Sequence, residues 1–440
     1  MLSGIKTMSG KQKNVVLAGA IGNALEWYDF TIYAFFVPII AAQFFPNKDP
    51  FVSLLATFGV FAVGFLVRPF GAVLFGYIGD HIGRKKALIL SMIMMSFPTF
   101  LIGILPNFYV IGVLAPLLLI GLRLVQGLAV SGELTTATVF LIEHASPNRR
   151  GIAGSLAMVG ALSGMLLSSV LASSMSALVS ETQLATWGWR IPFLLGGLLG
   201  IIGFVVRLRS IEPAEYEQAH AREEAKGQPV SVIRHLKSLS PVKLCLGVCM
   251  TSIMGIGNYF LIAYFSTFLV ENQGLPLRSV MFINTIAIVV QLLVTLLMGH
   301  LSDKLGRARI LGAGIISLSL LSVPIFWLLT QHNIYMALAG EVLFAIAAGN
   351  LTGVIPTMLA EMFDTYHRNM GISVSYNISL ALFGGTAPIV AMTLVSSTNN
   401  VYAPAWYLIL CAMVAMKALL ILKGYHRKTY CMMSRLMTYN

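Results

Sequence analysis

Charge is what this chain has least of. Only 10% of its 440 residues are Asp, Glu, Lys or Arg, against about 25% in an average soluble protein. With 57% hydrophobic residues and a mean hydropathy of +0.82, a water-soluble globule of this size is excluded. Acidic residues are scarcer still, 17 against 29 basic, for a net charge of +12. That excess requires no nucleic-acid partner, because Lys and Arg collect at the cytoplasmic ends of membrane spans. The four cysteines (Cys245, Cys249, Cys411 and Cys431) give neither a disulfide framework nor a usual metal-ligand spacing. Cys245 and Cys249 stand one helical turn apart, a spacing that packing explains. There is no G-x-S-x-G, no P-loop and no H-E-x-x-H, which argues against an enzyme; no metal or cofactor is expected. No sizeable polar output domain is present either, which argues against a sensor.

What is present is long apolar stretches, and a bilayer requires about 20 residues in each. Six fall at 14–44, 51–79, 86–105, 108–140, 151–178 and 187–207. Six more fall at 241–270, 279–300, 309–330, 334–360, 369–396 and 401–423. The reading is an all-α membrane protein of twelve transmembrane helices in two six-helix bundles, 1–207 and 241–423. A cytoplasmic linker, 208–240, joins them, and a tail, 424–440, follows. The first stretch is too long for a signal-peptide core and carries no cleavage-like site, so it is expected to remain as a helix. A cytoplasmic N-terminus puts 24 of the 29 basic residues on the cytoplasmic side. Lys48, Arg190 and Arg278 are left outside, and Arg68 and Arg123 lie within spans. Both termini are therefore expected in the cytoplasm.

The halves repeat a motif. Gly76, Asp80, Gly83 and Arg84 match Gly299, Asp303, Gly306 and Arg307 in the pattern G-x-x-x-D-x-x-G-R. A second pair stays in step: Glu143 and Arg150 are seven apart, as are Glu361 and Arg368. Parallel duplication of hydrophobic halves is a transporter signature. The glycines permit a tight turn, and the charges form a candidate latch that closes and opens the cytoplasmic side, with Glu143 and Glu361 as acidic partners. G-x-x-x-G spacings at Gly160/Gly164, Gly196/Gly200 and Gly349/Gly353 predict close helix crossings.

Charges inside spans are costly, about 2.5–3.5 kcal/mol each on insertion scales. Glu26, Asp29, Arg68, Arg123 and Glu133 are such residues, all in the N-terminal half. Glu26 and Asp29, three apart, share a helix face. The arginines suit a substrate carboxylate through forked hydrogen bonds, and an acid in low dielectric suits a proton carrier. A structural network of ion pairs is the alternative. In the C-terminal half Asn258, Tyr259, Tyr264, Gln291, Asn350, Tyr376 and Asn377 are candidates to line a cavity, with ordinary interhelical bonding as the alternative. Glu341 is expected to reach outward to the membrane surface.

The doubled loop motif resembles that of the major facilitator superfamily. Gly22-Asn23-Ala-Leu-Glu26-Trp27-Tyr28-Asp29-Phe30, Arg68-Pro69, Arg123-Leu-Val-Gln126-Gly127, Gly132-Glu133 and Trp187-Gly-Trp189-Arg190-Ile-Pro192-Phe193 resemble its metabolite:proton symporters. That family includes bacterial proline/betaine, 2-oxoglutarate, citrate and shikimate carriers. The resemblance implies import of a small carboxylate-bearing metabolite with protons across a bacterial inner membrane, by a monomer. It assigns Arg68, Arg123 and Arg190, with Tyr28 and Gln126, to substrate, and Glu26, Asp29 and Glu133 to the acidic positions. Arg123 in R-L-x-Q-G favours organic acids over zwitterions. Proton-driven efflux is the alternative within the fold. Ser131 replaces a usual Gly, and Ala308-Arg309 replaces a usual second adjacent Arg, which weakens the latch of that half. No long coiled coil follows the last span, which argues against osmotic activation.

Overall fold

The computed structural model describes residues 10–81, 84–130, 133–143, 145–208, 238–365 and 367–437, and all regular structure among them is helical. Nine helical segments are long and apolar enough to cross a membrane, or up to eleven if each of two bent pairs counts as one. Most of the expected linker, 209–237, lies outside the described residues.

α1 (Gly10–Phe35) and α2 (Val37–Phe44) meet at a 65° bend. Pro38 lacks the N–H that would continue α1, and its ring crowds the preceding turn. α3 (Pro50–Leu66) starts on Pro50, with Asp49 accepting the Phe51 N–H at 2.9 Å, an N-cap that satisfies an orphan donor. Pro69 breaks the ladder again, so α4 (Arg68–His81) is a separate helix. α5 (Arg84–Ile104) returns.

The fourth stretch, expected as one helix over 108–140, is instead α6 (Phe108–Ile111), α7 (Leu114–Ala129) and α8 (Glu133–Glu143). Gly112, at φ 58°, makes the first break, a conformation that glycine tolerates. α9 (Arg150–Leu178) is unbroken. α10 (Glu181–Gln183) and a π turn, Leu184–Gly188, then meet α11 (Arg190–Leu208) at 43°.

In the second half α12 (Pro241–Tyr259), a π turn (Phe260–Tyr264) and α13 (Phe265–Glu271) form one segment. α14 (Leu277–Leu305), α15 (Arg307–Leu329) and α16 (Ile334–Met362) follow. α17 (Arg368–Ser379) and α18 (Ala387–Thr398) flank a third π turn, Leu380–Gly384. α19 (Ala403–Met437) runs on past residue 423, where the sequence reading ends the last span.

Lipid gives no hydrophobic drive between helices, so close backbone approach and polar bonds hold them. α9 and α14 join the halves this way. A Cβ on Gly151 would overlap the Gly299 carbonyl. Farther along, Ser169 and Ser173 bond Thr285 at 2.7 and 2.8 Å. Of the predicted glycine spacings, both glycines of two pairs fall on crossings, Gly196 and Gly200 on α5 (Gly196 also on Asp29 of α1) and Gly349 and Gly353 on α14, and Gly164 of the remaining pair falls on α1.

Candidate functional site

α3 and α7 touch backbone to backbone, because a side chain on Gly127 would overlap the Gly64 carbonyl. Arg123 lies one turn before Gly127, and Arg68 opens α4 one turn past Gly64, so the crossing gathers both. The Arg68 guanidinium is 4.4 Å from the Phe30 ring and 4.3 Å from Phe65. That of Arg123 is 4.5 Å from the same Phe30 and 4.5 Å from Tyr33. They are 1% and 0% exposed.

Among the described residues neither arginine has an ion-pair partner, and Nε and Nη2 of both lack any hydrogen-bond partner. Aromatic faces offset part of the burial of each cation, by about 2 kcal/mol when desolvated. Each orphaned donor still costs about 1–3 kcal/mol. Guanidiniums offer forked donors of the kind that planar anions such as carboxylates accept.

Asp29 is next to Phe30 but faces α5, where its Oδ2 accepts the Ser96 hydroxyl at 3.0 Å; its Oδ1 has no partner. A Cβ on Gly196 would come within 2.6 Å of that Oδ1, so α11 seals the carboxyl. Glu26 and Asp29 line one small cleft with Gly22, Ser91 and Ser96. The carboxyl and Arg123 approach each other through α5. Thr99 lies beside Asp29, Gln126 Nε2 donates to Thr99 Oγ1 at 2.7 Å, and Arg123 Nη1 donates to Gln126 Oε1 at 2.9 Å. The Glu133 side chain lies outside the described residues.

Other predicted residues stand apart. Arg190 donates to the carbonyls of Gly103 and Leu105 at 3.0 and 2.7 Å and stacks on Trp189. It complements the carbonyl end of α5, as cations do at helix C-termini, and does not join the pair. Tyr28 donates to the Pro192 carbonyl at 2.6 Å, pinning α1 to α11.

From the second half Tyr259 reaches the arginine pair. It packs edge-on against Phe65 at 4.7 Å and Phe61 at 5.8 Å, with its hydroxyl beside both arginines. Gly384 and Gly385 of the α17–α18 connection pack on Tyr259 and Phe65. The Tyr376 phenol lies beside Tyr259, Arg68 and Glu26. Asn258 instead staples helices, accepting from Gln291 Nε2 at 2.6 Å and Thr352 at 3.3 Å. Asn377 bonds back to Ser373. Asn350 lies against Gly314 of α15, and Tyr264 packs on Phe326 and Phe268. Glu341 contradicts its expected outward reach: it is 0% exposed and bonded by Asn284 Nδ2 at 3.2 Å.

The second-half motif forms a clasp between halves. Asp303 accepts the N–H groups of Gly151 and Ile152 at 2.8 and 3.0 Å, capping α9 where its unpaired donors lie. Arg307 pairs with Asp303 at 2.8 Å and Glu361 at 3.2 Å. Arg368 pairs with Glu143 at 2.7 Å across the two halves, and Thr357 donates to the Arg150 carbonyl at 3.2 Å. Gly306 turns the chain at φ 94°. For the first copy, Gly83 and the side chains of Gly76, Asp80 and Arg84 lie outside the described residues.

Sequence reasoning did not single out the cage rings Phe30, Phe61 and Phe65, the α5 hydroxyls of Ser96 and Thr99, or Asn284. For Phe61 and Phe65 the available signal was their place two turns and one turn before Arg68; Phe30 is brought to the arginines only by the fold.

Known proteins frame this geometry. The family model described as Major Facilitator Superfamily matches residues 19–289 and 247–429. The glycine betaine/proline/ectoine/pipecolic acid transporter OusA of Dickeya dadantii is 33% identical over 425 residues, 94% of this chain and 84% of its own. The proline/betaine transporter of Escherichia coli K12 is 33% identical over 416 residues, 92% of this chain and 82% of its own. The fold matches that of the xylose transporter XylE of E. coli with a TM-score of 0.73 at 15% identity, over 95% of this chain and 98% of that one. The chain therefore belongs to the major facilitator superfamily and is a multi-pass membrane transporter, not an enzyme.

Proposed function

We propose that this transporter imports a small zwitterion bearing a carboxylate, of the proline and betaine type, together with a proton. One observation carries the substrate class: two buried guanidiniums with orphaned donors stand among aromatic rings. A carboxylate gives those donors acceptors. The faces of Phe61, Phe65 and Tyr259 suit the ammonium end, as aromatic cages do for quaternary nitrogen. The preference for organic acids drawn from Arg123 gives way here. A citrate-like anion has no group for those rings, and the named relatives carry zwitterions.

Asp29 is the proton carrier in this reading. A carboxylate held by one hydroxyl in an apolar seal is costly to ionise. When it ionises it draws the Thr99 hydroxyl hydrogen from the Met95 carbonyl, which turns the Oγ1 that accepts from Gln126 and so changes how Arg123 is held. Substrate and proton are thereby linked through α5. The Asp303–Arg307–Glu361 and Glu143–Arg368 clasp closes the motif side, and the α9–α14 contact at Thr285 closes the other.

The proposal includes twelve spans in two six-helix bundles, 1–207 and 241–423, with cytoplasmic termini and a cytoplasmic clasp. It places the protein in a bacterial inner membrane, working as a monomer. The test is ligand-induced thermal stabilisation of purified protein, since binding to the folded state alone raises its melting point. Proline and glycine betaine should raise it. Choline, which lacks the carboxylate, and citrate, which lacks the ammonium, should not. Stabilisation by citrate alone would reverse the assignment.

A further inference from the structure

Glu341 of α16 is buried among apolar neighbours, with Gly340 on Leu329 and Phe344 stacked on Phe260 and edge-on to Phe265. Among the described residues its only hydrogen bond is from Asn284 of α14, whose Nδ2 donates to Oε2 at 3.2 Å. The same Nδ2 donates to the Leu261 carbonyl inside the π turn of the α12–α13 segment. Two oxygens of the pair are left over: Glu341 Oε1 and Asn284 Oδ1 are both buried with no hydrogen-bond partner.

Both orphans are acceptors, and what they lack is one hydrogen. A single proton on Oε1, given to Oδ1, supplies both at once and completes a cyclic acid–amide pair. An ionised carboxylate would leave both unmet and hold its charge on one amide, against several kcal/mol of effective desolvation penalty per buried ion. Among the described residues no cation answers it. Titratable groups on the packed elements include Tyr259, Tyr264 and Glu271 of the α12–α13 segment, Arg278 at the start of α14 and Tyr407 of α19, which packs on Phe260. Among the described residues none of them forms a hydrogen bond or ion pair with the carboxyl.

We infer that Glu341 is a second proton-binding site, held as the neutral acid by Asn284 and coupled through that amide to the π turn at Phe260–Tyr264. Deprotonation spreads a charge over both carboxylate oxygens and takes away the hydrogen given to Oδ1, so the amide is drawn toward the carboxylate and its second N–H is pulled off line from the Leu261 carbonyl. The turn that carries Phe260 and Tyr264, next to Tyr259, is then held less firmly. The residue after Asn284 is Thr285, which bonds Ser169 and Ser173 of the other half. The site therefore sits beside an inter-half contact. It stands on its own residues, whether or not Asp29 carries a proton.

Infrared spectroscopy of the full-length protein in membranes at neutral pH tests it, with carbon-13 glutamate to mark the residue type. The expected result is a protonated glutamic-acid carbonyl band that the label shifts and Glu341→Gln removes. Glutamine can form the same two-bond ring, so this variant should fold and melt as the parent does. Asn284→Ala should keep the band but shift it, because the carbonyl loses its partner. Raising the pH should speed amide exchange at Phe260–Tyr264 in the parent more than in Glu341→Gln. A band unchanged in Glu341→Gln, a carboxylate signal responding to sodium, or equal exchange in both proteins would overturn the inference.

Discussion

Replacing Arg123 by Met separates a substrate-binding arginine from a structural one. Both guanidinium carbons lie within 4.5 Å of the Phe30 centroid, so they are no more than about 9 Å apart. At an effective dielectric near 20 their repulsion is then about 2 kcal/mol or more. Methionine keeps most of the packed volume and removes that repulsion and two orphaned donors, against the lost bond to Gln126 Oε1 and the lost cation–π contacts, about 1–3 and 2 kcal/mol. The ligand-free protein should therefore melt at the same temperature or higher. Binding should move the other way. Truncating one partner of a buried, hydrogen-bonded charge pair costs about 2–5 kcal/mol, or about 30-fold to several thousand-fold in affinity. Arg123→Lys keeps charge but loses the fork, and should fall between. Equilibrium binding of glycine betaine and of choline, beside melting curves without ligand, reads both quantities. A large loss of ligand-free stability with equal weakening of both ligands would refute the reasoning, because it would mark Arg123 as a packing residue.

Other consequences follow from the same geometry. Asp29→Asn should stop uptake driven by a pH gradient while leaving substrate counterflow; loss of both would remove Asp29 from the proton step. Asp303→Ala removes two caps on α9 and an ion pair, at about 1–3 kcal/mol for the buried groups left unmet. A cysteine placed at Ser155 should then label faster from the motif side, and unchanged labelling would exclude the clasp. Gly306→Ala should destabilise by about 1–3 kcal/mol, the usual cost of a glycine-only backbone region, read as a lower melting temperature. At the surface, a hydrogen bond from His367 at 2.9 Å holds the Asp364 carboxyl below its ordinary value. A lowered folded value means this contact stabilises above the unfolded value and fades as pH falls through the folded one. His367→Ala should move the Asp364 carboxyl titration upward by NMR, and an unmoved titration would deny the contact.

The helical, membrane-spanning character was legible because burial in lipid dictates composition over long windows. The arginine pair was legible because a charge inside an apolar stretch stands out. The breaks were less so: Pro38 and Pro69 mark theirs, but the π turns at 184–188, 260–264 and 380–384 carry no residue code. Partners across helices were hidden for a different reason. Nothing in the residues near Glu341 says that Asn284, 57 positions earlier, faces it, so a snorkelling surface acid was the simpler reading. Arg190 misled because its type fits a carboxylate, whereas its position at the start of α11 puts it against the carbonyls that end α5.

The most direct test of the account is proton entry into proteoliposomes holding an internal pH dye, with substrates added one at a time. Proline or glycine betaine should acidify the lumen, and Arg123→Met and Asp29→Asn should each abolish the signal. Acidification by citrate or 2-oxoglutarate instead, or uptake of betaine with no proton movement, would contradict it.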